Sequence, residues 1–242
     1  MVVSPANRVL PGHATRRWGG AESLLALWVA LALVAVVVIP GLLRAAFPLF
    51  TVVWLVVPLV AVLRSRNAGA VGFQAVPWRR FLVTTTINIG VILLLGGLCE
   101  VWTSTYGTLV ARAVQGESLD STFAWLVRYE GISAWSGMLL YSGLVTIFGE
   151  ELFFRGWLLQ ALLKRFRPAG AIAIQAVLFT VPQALAALLL PPLQGILYVV
   201  VYSWLAIGMV GGWAAWRTQT IWPSLLSATL FNLIITFLVL PG

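Results

Sequence analysis

Long runs of apolar residues, separated by short polar and basic segments, dominate the pattern of this chain. The runs are too continuous for barrel strands, and most are close to the roughly 20 residues that a helix needs to cross a bilayer. We predict seven spans, over the ranges 24–43, 47–63, 81–98, 133–166, 171–190, 196–216 and 221–240. The pattern therefore predicts an all-α, polytopic membrane helix bundle.

The fourth run is longer than one span requires. At about 1.5 Å per residue, a helix over 133–166 would reach roughly 50 Å, well beyond a hydrocarbon core of about 30 Å. We therefore expect this helix to be tilted or broken, with Gly149 and Gly156 as candidate break points, and a break would create an eighth span. The predicted domain organisation of the chain is a basic cytoplasmic tail over 1–22 and a single transmembrane domain over 23–242.

Composition supports the same class of protein. The chain has 242 residues, of which 61% are hydrophobic and 9% charged, and this composition excludes a water-soluble domain. The single cysteine, Cys99, excludes an internal disulfide, and the one histidine, His13, lies in the polar tail. Because a structural zinc site needs ligands that this chain does not offer, we predict no metal and no cofactor.

Basic residues cluster at the ends of the apolar runs, as expected for topology signals rather than for a nucleic-acid surface. With a cytoplasmic N-terminus, the opposite side receives only three of them, Arg44, Arg112 and Arg128. The cytoplasmic side then receives eleven: Arg8, Arg16, Arg17, Arg64, Arg66, Arg79, Arg80, Lys164, Arg165, Arg167 and Arg217. This bias predicts a cytoplasmic N-terminus and an external C-terminus. Tryptophans near span ends, such as Trp78 and Trp222, fit an interfacial aromatic belt.

Three ionisable residues interrupt the fourth run: Glu150, Glu151 and Arg155. A charge inside a bilayer costs several kcal/mol unless it is paired or faces a wet cavity. Glu151 and Arg155 are four residues apart and can pair on one helix face, whereas Glu150 points about 100° away. A carboxylate shielded from water can act as a general base near neutral pH. The alternative is a structural clamp, in which Arg155 bridges the acids to a neighbouring helix.

The residues around these charges predict close packing. Phe153, Phe154 and Trp157 are expected to fill the core around the acids. On the sixth span, Gly208 and the pair Gly211–Gly212 form a small-residue face, which favours a close approach of helices over a ligand path.

The run Glu-Glu-Leu-Phe-Phe-Arg-Gly-Trp-Leu at 150–158 resembles the first motif, EExxxR, of the CPBP family. This family comprises the CAAX prenyl endopeptidases and bacteriocin-processing membrane proteins, also called the ABI family. The resemblance covers about 133–240. The family's second motif, Phe-x-x-x-His, corresponds here to Phe179-x-x-x-Gln183. Its third, His-x-x-x-Asn, corresponds to Ala228-x-x-x-Asn232, after a Trp-Pro pair.

The resemblance implies an intramembrane endopeptidase in which Glu150 activates water, supported by Glu151 and Arg155. It also implies that two histidines, with Asn232, bind a metal or stabilise an oxyanion. Here both histidine positions are changed. Gln183 can donate a hydrogen bond to an oxyanion but is a poor zinc ligand, and Ala228 can do neither.

We therefore favour an inactive site in a CPBP-like protein of the bacterial inner membrane, retained as a binding, scaffold or assembly subunit. Its expected partners are membrane lipids and membrane proteins bound through lateral helix contacts, not nucleic acid. The alternative is an active CAAX-type endopeptidase that uses Glu150 as general base on a prenylated or leader peptide. A third hypothesis, a transporter with Glu150 as proton carrier, is disfavoured because the sequence shows no internal repeat.

Overall fold

The structure is a computed structural model. It describes residues 43–66, 68–105, 108, 148–188 and 190–239. The basic tail, the predicted first span except its last residue, and the stretch 109–147 lie outside the described residues. Across the described ranges the regular structure is helical, with no strand, which confirms the all-α prediction for this part of the chain.

The described part contains six helices, and five of them coincide with predicted spans within a few residues. The sixth, α3, is the second half of the predicted long run. A 3₁₀ turn, Ala68–Val71, lies in the loop between the first two helices. The bounds are Leu43–Ser65 for α1, Trp78–Thr103 for α2, 148–162 for α3, Pro168–Ala187 for α4, Pro192–Thr218 for α5 and Trp222–Val239 for α6.

Two of these helices are long and apolar enough to cross a membrane. Helix α2 has 26 residues and a mean hydropathy of 2.0, and α5 has 27 residues and a mean hydropathy of 1.8. The other apolar stretches are shorter: Val53–Arg64, Pro168–Ala184 and Trp222–Ile234. These features fit a helical membrane protein, and the count of seven spans stays a prediction.

Helices α3 and α5 each change from α to π geometry. The π segments are Glu151–Leu158 in α3 and Tyr198–Val210 in α5. The wider hydrogen-bonding pattern shows at the end of the first segment, where Leu159 N–H donates to Phe154 O, five residues earlier. Hydrophobic runs do not distinguish the two geometries, so the sequence predicted ordinary α-helices.

The predicted break at Gly156 is wrong, because this glycine lies inside the continuous helix 148–162. Gly149 is the second described residue of that helix, so a break at Gly149 stays a prediction. Both glycines allow a close contact. Gly149 packs against Trp54 and Leu55 of α1, and Gly156 packs against the backbone of Val71.

Helix α5 lies at the centre of the described bundle, in contact with α2, α3, α4 and α6. Helix α3 packs among α1, α4 and α5. The three aromatic residues predicted to surround the acids are indeed buried in the main apolar cluster, together with Trp54 and Phe179. Gly208 of α5 approaches Ala176 of α4 closely, which confirms the predicted use of that small residue. The core therefore surrounds the charged residues of α3.

Candidate functional site

Glu151 and Arg155 form the predicted ion pair. Arg155 Nη1 lies 3.2 Å from Glu151 Oε1, and the two side chains are 0% and 3% exposed, respectively. Their position within a π segment does not prevent the i,i+4 contact. Because a lone buried charge would cost several kcal/mol, pairing is what makes this burial tolerable.

Arg155 also binds two neighbouring helices. Its Nη2 donates a hydrogen bond of 2.9 Å to the carbonyl oxygen of Ile207 in α5. Its guanidinium carbon lies 4.0 Å from the centre of the Phe179 ring in α4, a cation–π contact that is stronger when both groups are desolvated. A single guanidinium thus connects α3, α4 and α5, as the clamp hypothesis predicts.

Ser224 binds the second carboxylate oxygen of Glu151, a contact that was not predicted from the sequence. Its Oγ donates a hydrogen bond of 2.5 Å to Glu151 Oε2 and also lies 3.0 Å from the carbonyl oxygen of Ile221. Ser224 is buried in the first turn of α6. It stands one turn before Ala228 and two turns before Asn232 on the same helix, and this spacing was the available signal. We call Glu151, Arg155 and Ser224 the clamp.

Glu150 differs from Glu151 in its environment. Glu150 is a half-buried residue, whereas Glu151 is only 2% exposed. Glu150 also attracts the Arg155 guanidinium electrostatically. Of the two acids, Glu150 is therefore the more accessible, while both carboxylate oxygens of Glu151 are already bound.

The three other predicted site positions lie on α4 and α6. Gln183 is one turn after Phe179, and its Oε1 accepts a hydrogen bond of 3.0 Å from the Tyr198 hydroxyl of α5. Ala228 is buried and Asn232 is half-buried. Ser224 and Asn232 are eight positions apart on α6, a rise of about 12 Å along the helix. The structure thus joins Glu151, Arg155 and Ser224, and places Gln183 in a separate contact with Tyr198.

These residues do not fit a bound divalent metal such as zinc. Among the residues that the structure describes, no group of three or more His, Cys, Asp or Glu side chains could hold one. The position of the second-motif histidine offers an amide whose oxygen already accepts from Tyr198, and the third-motif position offers a methyl group. The catalytic roles implied by the resemblance stay predictions, and no step through a metal follows from this donor set.

Residues 68–77, in the loop between α1 and α2, pack against α3 and the start of α6. The carbonyl oxygen of Val71 packs against Gly156, so that a β-carbon at position 156 would collide with it. The carbonyl oxygen of Gly72 accepts a 3.0 Å hydrogen bond from Ile221 N–H, just before α6. Gly72 has φ +84°, a conformation that glycine adopts without strain. The loop thereby fixes α3 and the start of α6, which carry Glu151 and Ser224.

A buried amide, Gln175 of α4, lies close to this site. It is 0% exposed, and neither of its amide atoms has a hydrogen-bond partner among the described residues. Its Oε1 lies against Gly212, where a β-carbon would be only 2.7 Å away, and the Arg155 guanidinium lies beside Gly211. The glycine pair predicted to allow close helix packing therefore also makes room for two polar side chains.

The apolar helices and the buried clamp define a helical membrane protein with a charged cluster in its core. Residues 132–234 match the family model described as Rce1-like, Type II CAAX prenyl endopeptidase Rce1-like. The match covers less than half of the chain but contains all three motif positions, and it confirms the CPBP family predicted for this segment. No curated protein and no solved structure matches the chain.

Proposed function

We propose that this CPBP-like membrane protein has lost peptidase chemistry and serves as a binding, scaffold or assembly subunit of a membrane complex. One observation carries the proposal: the EExxxR segment forms a structural clamp, while the two histidine positions hold Gln183 and Ala228. The frame stabilises the bundle by itself and needs neither histidine.

The contacts of the clamp support a structural role for Glu151 and Arg155. Both carboxylate oxygens of Glu151 are engaged, one by Arg155 and one by Ser224. Arg155 in turn binds a backbone carbonyl and an aromatic ring on two other helices. Because such a network is costly to break once buried, selection for folding alone can retain it.

Magnitudes support the loss of catalysis. Removing one oxyanion donor from a hydrolase costs about 2.7–4 kcal/mol, or roughly a hundred- to thousandfold in rate. Loss of a metal that polarises water costs several kcal/mol more. Although such losses are not additive, both together would leave peptide hydrolysis far below a useful rate.

A second candidate is an active CAAX-type endopeptidase that acts on a prenylated or leader peptide. The half-buried state of Glu150 favours it, since a general base must reach water. In that mechanism Glu150 would remove the proton of the attacking water, and Gln183 and Asn232 would donate hydrogen bonds to the oxyanion. This requires the Gln183 amide nitrogen, since its oxygen accepts from Tyr198.

We further propose a multi-pass protein of the bacterial inner membrane, with seven spans and a cytoplasmic N-terminus. The distribution of basic residues supports this topology. Its partners would be membrane lipids and other membrane proteins bound through lateral helix contacts. The exposed apolar faces of the described helices, such as Val83, Leu94 and Val101 on α2, fit contacts within the bilayer.

The proposal is tested by comparing Glu150→Gln with Arg155→Ala. The protein is purified from its native membrane in mild detergent, and stoichiometric membrane partners are identified. A scaffold should retain its partner in the Glu150→Gln variant and lose it in Arg155→Ala, because only the latter breaks the clamp. Loss of the cellular role in a well-folded Glu150→Gln variant would contradict the scaffold and favour the peptidase.

A further inference from the structure

At one end of the described bundle, the loop between α1 and α2 contacts two other helices. The hydrogen bond from Ile221 to Gly72 and the contact of Val71 with Gly156 bring together the α1–α2 loop, the start of α6 and the second half of α3. At the opposite end, the start of α5 meets the end of α2, where Gln194 Nε2 donates to the carbonyl oxygen of Thr103. The two ends of the bundle are therefore structurally distinct.

The end that carries the α1–α2 loop is strongly basic, and we call it the basic end. The acids that the structure describes lie elsewhere: Glu100 is near the far end of α2, and Glu150 and Glu151 are inside the bundle. Eight exposed cations lie at this end, at the three connections α1–α2, α3–α4 and α5–α6: Arg64, Arg66, Arg79, Arg80, Lys164, Arg165, Arg167 and Arg217.

Exposed aromatic rings stand among these cations. Trp78 is 68% exposed and directly precedes Arg79 and Arg80, while Phe166 is 44% exposed and lies between Arg165 and Arg167. Trp222, 46% exposed, opens α6 at the same end. Amphipathic rings settle at the headgroup level of a bilayer, and neighbouring arginines then reach lipid phosphates.

We propose that the basic end binds anionic phospholipid headgroups around its rim. The charge of the rim is complementary to lipid phosphate, and the aromatic rings fix it at the level of the headgroups. A nucleic acid is a poorer occupant, because the cations lie at helix ends around an apolar bundle rather than along one continuous groove. The inference does not depend on whether the acid pair is catalytically active.

Lipid binding at this rim should also stabilise the part of the clamp that contains Ser224. The α1–α2 loop is flanked by Arg66 and Arg79 and is bound to Gly156 and Ile221 through its backbone. Holding the loop against the membrane surface will stabilise its hydrogen bond with Ile221. The first turn of α6, which contains Ser224, should then open less often.

The test uses full-length protein in nanodiscs of phosphatidylcholine, with or without phosphatidylglycerol. Native mass spectrometry after gentle release measures which lipid is retained. We expect preferential retention of phosphatidylglycerol, weakened roughly fivefold for each rim arginine neutralised, in Arg66→Gln, Arg79→Gln and Arg80→Gln. Raising the ionic strength should weaken it as well. Amide exchange of the peptide containing Ile221 should be slower in the anionic nanodiscs.

The matched control neutralises Arg112 and Arg128, which the sequence places on the opposite side of the membrane. This double variant should retain phosphatidylglycerol as the wild type does. Equal retention of the two lipids by the wild type would overturn the proposal, and so would an equal loss in the control. Tight binding of a DNA oligonucleotide that is unaffected by lipid composition would also overturn it. If the rim variants fold poorly, the exchange measurement on wild-type protein in the two lipids decides.

Discussion

Replacing Ser224 by alanine removes the hydroxyl that contacts Glu151 and, at 3.0 Å, the carbonyl oxygen of Ile221, and it leaves the contacts of Arg155 in place. Ser224 Oγ lies 2.5 Å from a carboxylate oxygen of Glu151, and both residues are at most 2% exposed. Hydrogen bonds to charged groups contribute about 1.5–3 kcal/mol, whereas those measured in a membrane protein average about 0.6 and reach about 1.7. Because this acceptor is a fully buried carboxylate, we expect Ser224→Ala to destabilise the fold by about 1.5 kcal/mol.

Equilibrium unfolding in bicelles by steric trapping measures this change in the free energy of unfolding. Ser227→Ala is the matched control, since Ser227 is also buried in α6 but its Oγ donates 2.8 Å to the backbone carbonyl of Pro223 in the same helix. That substitution should cost about 0.5 kcal/mol or less. A double-mutant cycle with Glu151→Gln should show coupling for Ser224 and none for Ser227. Equal effects of the two serine variants, or no coupling with Glu151, would refute the clamp.

Two further predictions concern the surroundings of the clamp. Gly156→Ala should destabilise the protein by about 1–3 kcal/mol, because the added methyl would collide with the Val71 carbonyl. Gly90→Ala on α2, where a β-carbon meets nothing within 4 Å, should change stability little, and equal effects of the two would argue against the loop contact. Arg155→Lys should cost about 1–2 kcal/mol despite the retained charge, since lysine loses the planar contact with Phe179 and the hydrogen bond to Ile207. A wild-type unfolding curve for this variant would show that the guanidinium geometry is unimportant.

The sequence was sufficient to predict the positions of the described helices and the ion pair, because both follow from local spacing. Apolar runs set the helix positions, and the four-residue interval set the contact of Glu151 with Arg155. The π segments could not be predicted, since apolar residues satisfy either helical hydrogen-bonding pattern. Ser224 was missed for a related reason: its partner lies 73 residues away in the sequence, and only the packing of α6 against α3 brings the two together.

Gly156 illustrates how a local rule gives the wrong result. A glycine in a long apolar helix suggested a break, but this glycine lies inside a continuous helix and admits the backbone of the α1–α2 loop. That contact depends on Val71, which lies in a loop far earlier in the chain. The same limit applies to Gln175, whose burial beside Gly212 results from the crossing of α4 and α5.

The central claim, a CPBP-like frame without peptidase activity, is tested most directly by a cleavage assay. Purified full-length protein in nanodiscs is incubated with a prenylated CAAX peptide and with a leader-type peptide, in parallel with the Glu150→Gln variant. We expect no cleavage by the wild type above the level of the variant, with or without added zinc. Cleavage by the wild type that disappears in a correctly folded Glu150→Gln variant would contradict the account.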